Sequence, residues 1–196
     1  MTNDQPSGSA EFSYAYKTSV VGPGWGFRLT HDGIEWTKGR HFGEVPYAKI
    51  RRVRMTYRPV TTQGHRFVTE IWSPGVPKLT ISSTSWKSLM EQERFDRSYA
   101  EFIREIHRRI GAAGTPVMFQ GGLPAPVYWA GLAGFVLVSL GLVGLMLRSA
   151  MAGAWSGAAI VALFLAFFLW NGNFFRRNRP VVYRPDAPPP DLLPAA

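Results

Sequence analysis

The 196-residue chain contains no cysteine, which excludes disulfides and thiolate chemistry and leaves the redox compartment unread. It has four histidines, His31, His41, His65 and His107, and none is paired at the short spacing of a zinc site. No basic segment followed by an apolar one opens the chain. MTNDQPSGSAEF therefore reads as a polar leader over residues 1–13 and not as a secretory signal. There is no nucleophile elbow, no phosphate-cradling glycine loop and no paired intramembrane carboxylate, so neither an enzyme nor a cofactor is expected. Charge is missing over one long stretch: between Val127 and Trp170 the only charged residue is Arg148.

That stretch decides the class of protein. One helix over residues 127–170 would be about 66 Å long at 1.5 Å per residue, against a hydrocarbon core about 30 Å thick. Val127–Leu147 and Ala152–Trp170 are each about one bilayer long, so Arg148 marks the turn of a two-helix transmembrane hairpin. Tyr128, Trp129 and Trp170 sit at one interface and Trp155 at the other, where amphipathic rings belong. Neither span carries Asp, Glu, Lys, Arg, His, Asn or Gln. A transport pathway needs such groups, so the spans read as an anchor. Small residues recur along both: Ala130, Gly134, Gly141 and Gly144 in the first, Ala154, Ala158, Ala162 and Ala166 in the second. Such stripes let backbones approach, within the hairpin or between hairpins. Arg176, Arg177 and Arg179 follow the second span, against Arg148 alone at the turn. The positive-inside rule then places both termini in the cytoplasm of an inner-membrane protein.

The whole chain is basic: 22 Lys and Arg against 13 Asp and Glu give a net charge of +9, nearly all of it outside that stretch. Residues 14–110 read as an antiparallel meander followed by a helix. Phe27–Thr30, Ile34–Thr37 and His41–Val45 are short strands, with a His31-Asp32-Gly33 turn and a second turn at Lys38–Arg40. Ile50–Tyr57, HRFVTEIW and PKLTISS give three more, the last two separated by the turn chemistry of SPGVP. Phe95, Tyr99, Phe102, Ile103, Ile106 and Ile110 then form one apolar face of a helix over Glu93–Ile110. Glu93 with Arg97 and Glu105 with Arg109 are i,i+4 pairs on its other face. The expected fold is α+β: an antiparallel sheet or partly open barrel, capped by one C-terminal amphipathic helix and followed by the hairpin.

GIEW, then FGEVPYAKIRRVRM with its Val-Pro-Tyr step, then PKLTISS, then the closing helix together resemble the pleckstrin-homology-like (PH-like) domains of bacterial membrane proteins, over Tyr14–Ile110. The resemblance implies a binding or scaffolding module. The basic cluster that marks inositol-phosphate binders is not found, since Lys38 and Arg40 fall one turn too late, and no ligand residue is carried over.

Lys49, Arg51, Arg52, Arg54 and Arg58 crowd one strand and its approach. Alternation splits them between faces. They form either a solvated strand edge or a surface attracted to anionic lipid head groups. Nucleic acid is not expected, for want of a recognition motif. Residues 111–126 read as a flexible Gly- and Pro-rich linker. The Pro-rich tail, 171–196, is either a disordered end or a strip that docks on the domain or a partner through Tyr183, Leu192 and Leu193. The expected partners are the bilayer itself and either anionic head groups or a membrane protein. A small accessory subunit of a transporter or envelope complex is the alternative role.

Overall fold

The computed structural model describes residues 12–19, 22–59, 65–86 and 92–194. The leader lies outside the described residues except for its last two positions, and Ser13 already opens a strand. Strands β1 (Ser13–Tyr16), β2 (Trp25–Leu29), β3 (Gly33–Lys38) and β4 (His41–Pro46) form an antiparallel meander in sequence order. Alternation puts Tyr14, Tyr16, Trp25, Phe27, Leu29, Ile34 and Trp36 on its buried face. Arg28 and Glu35 pair directly across strands on the other face, 2.6 Å apart.

A second sheet contains β5 (Arg52–Pro59), β6 (His65–Trp72) and β7 (Leu79–Ser82), all antiparallel. Two late strands extend it. Strand β10 (Met118–Gly121) runs parallel to β5, and β11 (Val181–Val182) runs antiparallel to β10. The order is β11-β10-β5-β6-β7, so the sheet is mixed. Strands β8 (Thr84–Trp86) and β9 (Gln92–Arg94) make a separate ribbon. The fold is α+β as expected, but these strands form separate sheets and not a closed barrel.

Helix α1 (Asp96–Ala112) covers the core between the sheets. Its face Tyr99, Phe102, Ile103, Ile106 and Ile110 is buried at the expected spacing. The Phe102 ring stacks on Tyr14 at 5.3 Å, and the Tyr99 hydroxyl meets Thr69 Oγ1 at 2.7 Å. The helix begins later than expected because Glu93 is paired in β9. Glu93 therefore makes no helical pair with Arg97, which meets Glu101 instead, whereas Glu105 and Arg109 do pair, at 2.7 Å. Tyr14 and Tyr16 donate their hydroxyls to the Ser82 and Thr80 carbonyls and so join the two sheets.

The expected flexible linker is overturned. Residues 118–121 are a strand because β5 would otherwise expose an unpaired edge, and β10 satisfies it. The tail also packs. Leu192 and Leu193 are buried in the domain core, and the Tyr183 hydroxyl meets His107 Nε2 at 2.9 Å. Of the two alternatives for the tail, docking on the domain is the one observed, because these three side chains have an apolar surface of β10 and α1 to cover.

Helices α2 (Ala125–Met151) and α3 (Trp155–Trp170) follow, with a short α4 (Asn173–Arg177). Ala125–Met151 and Trp155–Arg177 are both long and apolar enough to cross a membrane. The turn between α2 and α3 is Ala152–Ala154, and Arg148 lies in the last turn of α2. Gly153 has φ +74° and its N–H reaches the Ala150 carbonyl, while the Ala154 N–H reaches Ser149. That is a Schellman C-cap, and it is what stops the helix. Tyr128, Leu132, Phe135, Ser139, Leu142 and Met146, spaced four and three alternately, are among the less exposed positions of α2, with Val143, Ser149 and Ala150 beside them. Ala158, Val161, Leu165 and Phe168 continue the same spacing on α3. This is the seam of two helices packed near-parallel in axis, and Phe135 stacks on Phe168 across it at 4.6 Å.

Candidate functional site

The basic strand supplies the first candidate surface. In β5 the odd positions Val53 and Met55 are fully buried in the core. Arg52, Arg54 and Arg58 are even positions, so alternation puts all three on one outward face. Lys49 lies in a 3-10 turn, Tyr47–Lys49, and Arg51 precedes the strand, so both are exposed but stand apart from that face. The anticipated split is thus three against two.

Cross-strand register builds the rest of the surface. Arg52 is opposite Trp72 and Arg54 is opposite Glu70. The Arg52 guanidinium lies 4.3 Å from the Trp72 ring centre, and Arg54 and Lys78 lie 5.8 Å and 5.7 Å from it. Each cation lies over the negative face of the indole, and Trp is the best ring for this. Arg54 also donates to Gln120 Oε1 at 2.6 Å. Glu70 accepts from Lys78 at 2.7 Å and lies 3.6 Å from Arg58. Of the four cations, Lys78 and Arg58 thus meet the one carboxylate, while Arg52 and Arg54 face the indole. Desolvation first, and the neighbouring Arg52 second, hold the Arg54 guanidinium below its ordinary pKa. Trp72 and Lys78 were not singled out from sequence. The register of HRFVTEIW against YAKIRRVRMTYR was the signal that could have found them.

Arg176, Arg177 and Arg179 lie at the junction between domain and helix pair. Asn178, fully buried, is its centre. Its Oδ1 accepts from the Tyr57 N–H at 3.0 Å, and its Nδ2 donates to the Tyr57 carbonyl at 2.7 Å. Strand β10 has ended by then, so the Asn178 amide continues the pairing of β5 by one residue. The Leu123 N–H bonds the Asn178 carbonyl at 3.0 Å. Gly122, at φ +76°, passes so close that a Cβ there would lie 2.4 Å from the carbonyl oxygens of Asn178 and Arg179. Arg177 stacks on Tyr57, 4.8 Å from the ring centre. Arg176 and Arg179 are exposed beside it, and Arg148 is exposed at the far end of α2.

The small-residue stripe falls mostly off the seam. A Cβ added at Gly134, Gly141 or Gly144 would meet nothing within 4 Å, and Ala130 is exposed. These four lie two residues on from seam positions, about 200° around the helix at 100° per residue. On α3, Ala158 is buried on the seam and Ala162 half-buried beside it, whereas Ala166 and, in the preceding turn, Ala154 are exposed. Gly131, outside the stripe, makes the close approach instead: a Cβ there would lie 3.2 Å from the Phe175 ring.

Among the described residues no group of three His, Asp or Glu is placed to hold a metal ion. No family model, no curated protein and no solved structure matches this chain.

Proposed function

We propose that this chain is a non-enzymatic binding and scaffolding protein of the inner membrane, with a cytoplasmic PH-like domain on a two-span anchor. The strand order, two sheets followed by α1, supports the PH-like reading. The two apolar helices support the anchor. The observation that carries the binding role is the ring of Arg52, Arg54 and Lys78 around Trp72 on an outward sheet face. Such a face attracts an acidic partner, because its positive field is only partly offset by Glu70. The anchor holds that face at a set position beside the bilayer, since Asn178 and the tail fasten the domain to the helices.

An accessory-subunit role is the second reading. It is favoured by the open positions Gly141 and Gly144, which lie off the α2–α3 seam and fit a partner's transmembrane helix.

Co-purification from mild detergent tests both. The Arg52→Glu, Arg54→Glu double variant should lose an acidic partner that the unaltered chain retains, and should do so without loss of thermal stability. A partner retained by that variant but lost on Gly141→Leu would move the role to the helices. Retention by both variants would remove both readings.

A further inference from the structure

We infer that the outward face of the second sheet receives an acidic segment of another protein, one that sets apolar side chains beside its carboxylates. This rests on the acidic-partner reading of Arg52, Arg54 and Lys78 and adds what else that partner must carry. The face has two halves, which the strand register lays side by side. Arg52 lies between Met118 of β10 and Trp72 of β6, and Arg54 between Gln120 and Glu70. Paired residues share a face of the sheet, so Met118 and Gln120 point outward with the arginines. Val182 of β11 is opposite Gln120 and carries that face to the sheet's edge. Met118 is 53% exposed and Val182 73%. Outside α2 and α3, the large apolar side chains exposed among the described residues are Phe42, Met118, Val181 and Val182. All but Phe42 thus stand in the two strands next to the cations. Gln120 links the halves: its Oε1 accepts from Arg54 at 2.6 Å, and its Nε2 donates to Met118 Sδ at 3.0 Å.

Each half calls for a different group on the partner. Glu70, opposite Arg54, is held by Lys78 and Arg58, so neither Arg52 nor Arg54 makes an ion pair among the described residues. Carboxylates laid over these guanidinium groups would form charge-assisted hydrogen bonds. Met118 and Val182 stay wet unless apolar side chains cover them, which an acidic segment without such side chains cannot do. Single-stranded nucleic acid fits less well, because Arg52 already lies over the Trp72 ring on which a base would stack. Head groups also fit less well. The Arg52–Trp72 row stands five residues before Tyr57, where Asn178 fastens β5 to the helix pair, about 17 Å along the strand at 3.3 Å per residue. Exposed charges are screened over about 8 Å at physiological salt, which favours a protein over the head groups around the helices.

The test uses the full chain in phosphatidylcholine nanodiscs, with empty discs as the blank. Its probes are fluorescent peptides of equal length, one of alternating Glu and Leu, one of alternating Gln and Leu, and one of Glu alone, followed by anisotropy. The Glu–Leu peptide should bind tightest and be released by high salt. The Met118→Thr, Val182→Thr double variant should bind it about tenfold more weakly and bind the all-Glu peptide as before. Met118→Thr alone, at an exposed position, repeats the measurement should the pair melt early. The Arg52→Glu, Arg54→Glu variant should lose both acidic peptides. If it keeps them, or if the Gln–Leu peptide binds as well as Glu–Leu, the acidic-partner reading itself fails. If it loses them while the Met118→Thr, Val182→Thr variant holds the Glu–Leu peptide undiminished, the acidic partner stands and the apolar half is overturned. No binding of the Glu–Leu peptide to the unaltered chain overturns the inference outright. So does its displacement on replacing phosphatidylcholine by phosphatidylglycerol, which would give the face to head groups, or by oligothymidylate, which would give it to nucleic acid.

Discussion

His107 is a buried imidazole with both nitrogens engaged. Nδ1 lies 2.7 Å from the Ile103 carbonyl and must donate to it, so in the neutral ring Nε2 accepts from the Tyr183 hydroxyl at 2.9 Å. Phe119 and Tyr183 rings pack on it at 5.3 Å and 5.7 Å. Burial disfavours the charged form and pushes the His107 pKa down from 6.5 to about 4. The unfolded chain then binds the proton more readily than the folded one. Stability contributed by this group is complete above about pH 6.5, declines as pH falls from about 6.5 to about 4, and levels off below that. The full difference is about 3 kcal/mol at 1.36 kcal/mol per unit. Thermal unfolding followed by tryptophan fluorescence should show that acid slope, and His107→Phe should flatten it while lowering stability at pH 8 through loss of the Tyr183 bond. An unchanged slope in the variant would mean that another group carries the acid sensitivity. Glu105 acts in a lower window. Hydrogen bonds from Arg108 and Arg109 hold its carboxyl at about 2, so its contribution is lost only as pH falls below about 4.5.

At the scale of elements, what was legible and what was not divides by range of interaction. The helical stripe from Tyr99 to Ile110 was legible because a 3.6-residue period is a local property. The β2–β4 meander was legible for the same reason, through Asp32-Gly33 and alternation. Strands β10 and β11 were not. Their residues sit in MFQG and VV, too short to show a period, and they become strands only because β5 has an open edge. The Arg52–Trp72–Lys78 cluster was hidden likewise, because it depends on the β5–β6–β7 register. The turn between the long helices was misread by a few residues, since Arg148 drew attention from Gly153, the residue whose conformation ends α2. The tail was legible only as an alternative: Tyr183, Leu192 and Leu193 are apolar residues that a disordered end has no use for. Their burial means that a fragment ending at Ile110 would not carry the whole core. Such a fragment lacks β10, β11 and both leucines, and leaves Phe119's surroundings and the β5 edge bare. Leu192, 1% exposed and packed against Gly121, makes the point testable. Leu192→Ala should cost about 2–5 kcal/mol in the full chain, read from the thermal midpoint in detergent. A loss under about 0.5 kcal/mol, the size of a surface substitution, would show that the tail merely rests on the domain.

For the whole molecule, the junction at Asn178 turns two separate arguments about topology into one. The chain leaves the domain at Gly122, whose N–H bonds the Met55 carbonyl at 2.8 Å, and enters α2. It returns through α3 and α4 to Asn178, which bonds the backbone of Tyr57, two residues further along the same strand. Both ends of the helix pair are therefore fastened to one end of β5, and helices that cross a bilayer must put the domain and the tail on the same side. Charge chooses the side. Arg176, Arg177 and Arg179 stand at the fastened end and Arg148 alone near the turn, so under the membrane-spanning role proposed above the positive-inside rule assigns the domain to the cytoplasmic side. Reporter fusions after Gly114 and after Ala196 should accordingly both read cytoplasmic, and one inserted at Gly153 should read external. Gly114 and Gly153 suit the purpose because each has open space around it. Opposite readings at Gly114 and Ala196 would contradict the crossing and the Asn178 junction together. A cytoplasmic reading at all three would leave the junction intact and make the helices lie on or outside the bilayer.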